Sequence, residues 1–323
     1  MLVRLKTVCL RAGGLFILLW LGGCAATPQS DALTRHISAA FAKPTELTKT
    51  PFFAQKEYQC GPAALATMLQ AQDVKVTPDA LKDEVYVPER KGSFQIEIVA
   101  ATRRHALLPY ILRPQLSDVL AEINAGRPVL VLQNEGVSWY PQWHYAVIIG
   151  YNLQEGRLIL RSGTIKRYVM SIYTFERTWQ RSQSWAMVTL KPGEMPVRPD
   201  EWRYLQAVVG FEQTHNWPLL ETLYRAGLQQ WPDSRDLHMG YGNVLYLQHR
   251  REAAATQYQT VLQQDPDFAP AHNNLAMVLA EMGQYQRALS QVRRAIELGG
   301  VHSAEYQTTL EQIRQMQAAA QKQ

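Results

Sequence analysis

The sequence predicts an α+β domain followed by an all-α array of helical hairpins, and three observations carry that expectation. Short runs rich in β-branched and aromatic residues, such as RPVLVLQ, HYAVIIGYN and RLILRSG, alternate with helical stretches up to about residue 190. The segment KPGEMPVRPD (191–200) then sets three prolines and a glycine in ten positions, which denies both helix and sheet. Beyond it the chain consists almost entirely of helix formers and repeats with a period of 34. With 46% hydrophobic residues over 323 positions, there is apolar material for more than one core.

The N-terminus reads as an export signal (1–23). Arg4, Lys6 and Arg11 form a positive start without acids, and Gly14 to Leu21 is an apolar run too short to span a bilayer. Its end, Leu21-Gly22-Gly23-Cys24, resembles the lipobox of bacterial lipoproteins, which implies cleavage before Cys24 and lipidation of its thiol. Ala25 after it resembles the outer-membrane sorting position, so the expected location is the cell envelope, anchored to the outer membrane and facing the periplasm. Residues 24–50 are rich in Ala, Thr, Ser and Lys and are expected to tether the domain that follows, with a turn or two of helix in ALTRHISAAFA. The signal holds three of the 33 basic residues and none of the 28 acidic ones, so the mature chain is close to neutral at +2. No Lys/Arg run points to nucleic acid.

Only three cysteines exist, Cys9, Cys24 and Cys60, so after signal removal and lipidation Cys60 is the sole free thiol. An unpaired thiol in an oxidising compartment is a candidate for chemistry. In AQKEYQCGPAALATML (54–69), Gly61, Pro62 and the apolar stripe after them describe a helix with Cys60 at its start. Unpaired N–H groups and partial positive charge there are expected to stabilise the thiolate and lower its pKa. A thiolate nucleophile needs a base and an oxyanion donor. Of eight histidines, His144 has the fitting context, at the mouth of the strand in QWHYAVIIGYN. Gln55, five residues upstream of Cys60, could join the Cys60 backbone N–H around a developing oxyanion; Gln59 is its rival.

Cys-Gly-Pro-x-x-Leu on a helix, an upstream glutamine and His-Tyr-x-Val-x-x-Gly-Tyr some eighty residues later resemble the papain-like bacteriocin-processing cysteine peptidases that act on double-glycine leaders. The likeness spans about 51–190. It implies a papain-like α+β fold with Cys60 as nucleophile, His144 as base and Gln55 as oxyanion donor. Where that family places an aspartate on the return strand, this chain has Ser162, which can accept a hydrogen bond but carries no charge. Asn152 is a more distant substitute in the intervening turn. Members that trim leaders are usually fused to membrane-spanning export machinery, whereas this chain reads as exported, so a different peptide or protein is the expected substrate. His105 is expected at a helix end, interacting with its dipole. Trp139, Trp143, Trp179 and Trp185 read as core and cleft wall. Neither H-E-x-x-H nor paired CxxC occurs, nor a phosphate-cradling glycine loop, so no metal or cofactor is expected.

In the C-terminal part, units 201–234, 235–268 and 269–302 align Val208, Gly242 and Ala276 at position 8 and Leu220, Ala254 and Ala288 at position 20, positions where small residues let two helices approach. The first unit lacks the small residue at position 20. This pattern resembles the tetratricopeptide repeat, with 303–323 as a polar capping helix. Such arrays bind extended peptides on a concave face, which implies a protein partner, and Asn243 and Asn273 are the candidate groove residues. The combined expectation is a membrane-anchored cysteine peptidase with a partner-binding array. A thiol acyltransferase and a catalytically silent peptide-binding scaffold remain as alternatives.

Overall fold

A computed structural model describes residues 26–55, 59–137 and 139–322. The lipidation expectation for Cys24 lies outside these residues, as does the signal. Among the described residues no helix is long and apolar enough to cross a membrane.

The N-terminal part is a single antiparallel sheet of strands β1 (Thr45–Glu46), β2 (Leu108–Ile111), β3 (Val129–Asn134), β4 (Trp143–Asn152), β5 (Arg157–Ser162), β6 (Ile165–Ser171) and β7 (Ala186–Leu190). Their order is β2-β7-β3-β4-β5-β6, with short β1 also paired to β4. The apolar run of β3 is buried at every position because both faces of the sheet are covered. Leu130, Leu132, Tyr145, Val147 and Ile149 face a core built on α2 (Cys60–Gln70), α3 (Pro78–Val85) and α4 (Gln95–Arg104). Val129, Val131, Ala146 and Ile148 face a second core under α5 (Leu116–Asn124) and α6 (Ile172–Gln180). The two-residue side-chain period thus serves both layers. Gly150 is required where β1 crosses β4, since a Cβ there would meet Thr45 O at 2.5 Å.

Residues 26–50 are not a free tether. The first helix, α1 (Pro28–Arg35), is docked at its start: the buried Glu176 carboxylate accepts the N–H groups of Gln29 (3.1 Å) and Ser30 (2.7 Å). A carboxylate satisfying the orphan donors of a helix N-terminus explains the attachment. Phe41 completes it by burying its ring edge-on to Tyr151.

The proline-rich segment is irregular, as expected, yet strapped down. Val197 N–H donates to Glu122 (2.6 Å), Arg198 pairs with Asp118 (3.0 Å), and Asp200 N–H donates to the Tyr110 hydroxyl (3.0 Å). Helix α7 (Glu201–Val209) then lies beside β2, and one apolar core runs on from the sheet into the helices.

The helices that follow pair as α7/α8 (Trp217–Gln230), α9 (Arg235–Leu247)/α10 (Arg251–Gln264) and α11 (Ala269–Glu281)/α12 (Tyr285–Leu298), then α13 (Ser303–Ala320). Small residues have the packing reason expected of them: a Cβ on Gly242 would lie 2.6 Å from the Tyr258 ring. One recurrent device is a histidine clamp at the repeat period. His238 bridges Gln257 (2.7 Å) and the Pro232 carbonyl (2.9 Å), and His272 bridges Gln291 (2.6 Å) and the Pro266 carbonyl (2.8 Å).

Candidate active site

Cys60 opens α2, and Gln59 before it supplies no side-chain cap. The first-turn donors are therefore free to serve the sulfur, which lies against the backbone N–H groups of Cys60, Gly61 and Tyr145. Gly61 is dictated by neighbours: a Cβ there would fall 2.2 Å from Ser93 Oγ. The loop before α4 can therefore close directly over the helix start.

The site forms where β4 and β5 part. Leu132, opposite Tyr145 in the register, donates its N–H to Trp185 O at 3.3 Å on the β7 side, so the main-chain groups of Tyr145 point toward β5. The β4–β5 pairing begins only at Val147 and Arg161, which leaves those groups without a strand partner. Cys60 takes the Tyr145 N–H, and Gln55 Nε2 donates to the Tyr145 carbonyl at 3.2 Å. Gln55 is fixed in turn by its own N–H, which donates to Gly163 O at 3.0 Å. One Gln55 amide hydrogen is committed to Tyr145, and the amide carries a second.

His144 is the second residue of the same strand, and its Nε2 lies 2.8 Å from Ser162 Oγ at the end of β5. The imidazole thus has a neutral partner at the position where an aspartate would charge it. With Nε2 so engaged, Nδ1 is the ring nitrogen without a hydrogen bond among the described residues. Asn152 is at the far end of β4, where its Oδ1 caps the turn by accepting Glu155 N–H at 3.2 Å. It plays no part in the site.

The electrostatics correct one expectation. Burial pushes the Cys60 thiol above its ordinary pKa, outweighing the N–H groups that favour the thiolate, and nearby Glu135 adds to the rise. Burial likewise holds His144 below the ordinary imidazole value, although Glu135 opposes that shift. The helix-start effect is present but smaller than desolvation. Burial thus favours the uncharged form of both groups, thiol and imidazole. Glu135 was missed at the level of sequence; as the acid in QNEGVSWY, just upstream of His144, it could have been noticed there.

Other expectations divide. Trp179 is fully buried and donates Nε1–H to Trp185 O, but Trp139 and Trp143 are 85% and 54% exposed and belong to no core. Trp143 opens β4, where it pairs with Asn134 of β3, and Trp139 lies on the connection before it. His105 ends α4 but spends its ring on Glu84, 3.2 Å away, rather than on the helix dipole alone. Asn243, exposed, accepts from the Tyr258 hydroxyl (2.8 Å) and Asn274 (3.1 Å), so it is engaged within the array. Asn273 Oδ1 is buried without a partner. Among the described residues no group of three His, Cys, Asp or Glu could hold a metal.

Residues 47–187 match the family model described as "Peptidase_C39 like family", a stretch that contains Cys60, His144, Gln55 and Ser162. Residues 242–283 match the model described as a TPR repeat. Residues 47–187 are a C39-like peptidase domain, and tetratricopeptide repeats follow it. A protein assigned as a C39-like peptidase from Bacillus anthracis is 17% identical, with 46% of this chain and 98% of that chain covered and a TM-score of 0.40. The Yersinia enterocolitica secretion chaperone SycD, solved with a peptide of the translocator YopD, is 16% identical over 35% of this chain and 91% of its own, with a TM-score of 0.33. The mouse protein O-mannosyl-transferase TMTC1 is 34% identical over 73 residues, 23% of this chain. The chain spans only 8% of that enzyme's length, a likeness at the level of the repeats.

Proposed function

We propose that the C39-like domain is a cysteine peptidase that hydrolyses a peptide or protein substrate, and that the repeat array holds a protein partner beside it. The observation that carries this reading is the convergence on one strand residue: the thiol on the Tyr145 N–H, Gln55 on the Tyr145 carbonyl, and His144, the preceding residue, on Ser162. In the proposed reaction His144 Nδ1 takes the Cys60 proton as the sulfur attacks the scissile carbonyl carbon. The C–S bond forms, and the oxyanion is received by the Cys60 backbone N–H and the second Gln55 amide hydrogen. The imidazolium then protonates the leaving amine as the C–N bond breaks. Water, deprotonated by His144, resolves the thioester to a free acid and restores the thiol. The exposed Trp139, Tyr140 and Trp143 beside His144 offer apolar contacts for substrate side chains.

The signal-like start and the box ending in Cys24 support a lipid anchor and an outer-membrane, periplasm-facing location. One observation favours a second reading, a silent peptide-binding module: the histidine has a neutral partner, and burial favours the uncharged form of both reacting groups. Digestion of a mixed peptide library, with new termini read by mass spectrometry, separates the readings. Hydrolysis by the wild type that is lost in Cys60→Ala and His144→Ala supports the peptidase. Ligated products would indicate acyl transfer, and binding without any turnover would indicate the silent module.

A further inference from the structure

The guanidinium of Arg103, at the end of α4, takes no part in the cysteine site and has no anionic partner. Among the described residues it makes no hydrogen bond or ion pair, and its buried Nε has nothing to donate to. Its seat is nonetheless built by the helices that follow the sheet. A Cβ on Gly210 would lie 2.0 Å from Arg103 Cζ, so only glycine leaves room for the guanidinium there. The Phe211 ring centroid is 6.0 Å away on the same turn. Arginine keeps its charge at neutral pH, so it is held partly dehydrated without a counter-ion, an arrangement that disfavours the empty state.

Arg103 opens on a cleft of about 340 Å³ between the sheet domain and the first array helix. Val99 and Ile111 line one side, and Trp202, Arg203 and Gln206 line the other. The walls thus carry two cations and no acid. Arg203 gives one N–H to Leu112 O (3.3 Å), and Trp202 is 64% exposed. A planar guanidinium fork beside an open indole suits an anion of matching planar geometry joined to an apolar group.

We propose that this cleft binds a peptide carboxylate, with Arg103 gripping the anion and Trp202 walling an adjoining apolar side chain. The site is separate from Cys60: eight residue steps of α4, a rise of about 12 Å, lie between Gln95 and Arg103, and the loop that meets Gly61 lies beyond Gln95. It needs no cysteine chemistry, so it stands or falls apart from the peptidase reading.

The test is fluorescence anisotropy of the full chain with a labelled pentapeptide ending in Leu-Asp with a free C-terminus, its C-terminal amide, and its Asn counterpart. Wild type and Cys60→Ala are expected to bind alike, and Arg103→Gln and Trp202→Ala each to bind about tenfold more weakly, the scale of one charge-assisted contact. Loss of affinity in the amide identifies a main-chain carboxylate, and loss in the Asn peptide a side-chain one; either supports the site. No binding by the wild type at millimolar peptide, undiminished binding of both altered peptides, or undiminished binding by Arg103→Gln would overturn it. Should Arg103→Gln fail to fold, the exposed Trp202→Ala decides in its place.

Discussion

Replacing Ser162 by aspartate places a carboxylate against an imidazole that now has a hydroxyl 2.8 Å from its Nε2. At an effective dielectric near 20, opposite charges ~4 Å apart attract by about 4 kcal/mol. Ser162 is only partly buried, so water screens the new charge, and the carboxylate's own desolvation opposes the gain. Taking a third to a half of the Coulomb figure leaves roughly 1.4–2 kcal/mol, a rise of about one to one and a half pKa units. Burial currently holds His144 below its ordinary value, so the substitution acts against that depression. NMR titration of His144 in a Cys60→Ala background reads the shift free of the thiol. Ser162→Asp should raise the pKa, whereas Ser162→Ala, which removes the hydrogen bond without adding charge, should not. In the chain with its thiol, the variant should shift Cys60 alkylation to lower pH, because the imidazolium stabilises the thiolate. An unchanged or lower His144 pKa in Ser162→Asp would refute the assignment of Ser162 as the imidazole's partner.

Gly61→Ala should destabilise the chain by about 1–3 kcal/mol in denaturant unfolding through the collision with Ser93, with Ser93→Gly restoring part of the loss; a neutral Gly61→Ala would show that the loop gives way freely. Glu176→Ala removes the acceptor of two helix-start N–H groups, at a cost of about 1–3 kcal/mol. Hydrogen exchange should then quicken across Pro28–Arg35, and unchanged exchange would mean that other contacts hold the helix. His144 has a depressed native pKa, so the unfolded chain takes up that proton first. Relative to His144→Gln, wild-type stability should therefore fall as pH drops below about 6.5 and level off below the native value. Parallel stability curves would contradict burial as the cause of the shift.

The Cys-Gly-Pro helix start, the apolar strands β3, β4 and β5 and the 34-residue period whose glycines meet tyrosines were legible because each rests on local pattern, whereas β2, β6, β7, α3, α5 and α6 were not read from the sequence. Cys60 and His144 could be singled out because each sits near the start of a readable element, Gln55 by its distance upstream of Cys60, and Ser162 only through the resemblance to a family with an aspartate there. The sign of the thiol shift was not legible, since it depends on how deeply two elements bury the sulfur, and that is decided by packing between distant segments. The same reason hid the docking of residues 26–50, whose anchor is Glu176, 146 positions from Ser30. It also hid the Arg103 seat, which depends on a glycine in the other half of the chain. Trp139 and Trp143 belong to no core, so of the two roles expected of them only that of cleft wall is left, and the usual burial of aromatic side chains did not separate the two.

The central claim is that Cys60 itself forms a thioester during turnover. The direct measurement is acid-quenched mass spectrometry of the full chain after brief exposure to a 4-nitrophenyl acyl ester, with the modified residue located by peptide mapping. The expected result is one acyl group on Cys60, absent from Cys60→Ala and formed at least about a hundredfold more slowly in His144→Ala, within the range for loss of a general base. No acyl group on Cys60, or equal acylation in His144→Ala and wild type, would contradict the account and leave the domain a binding module.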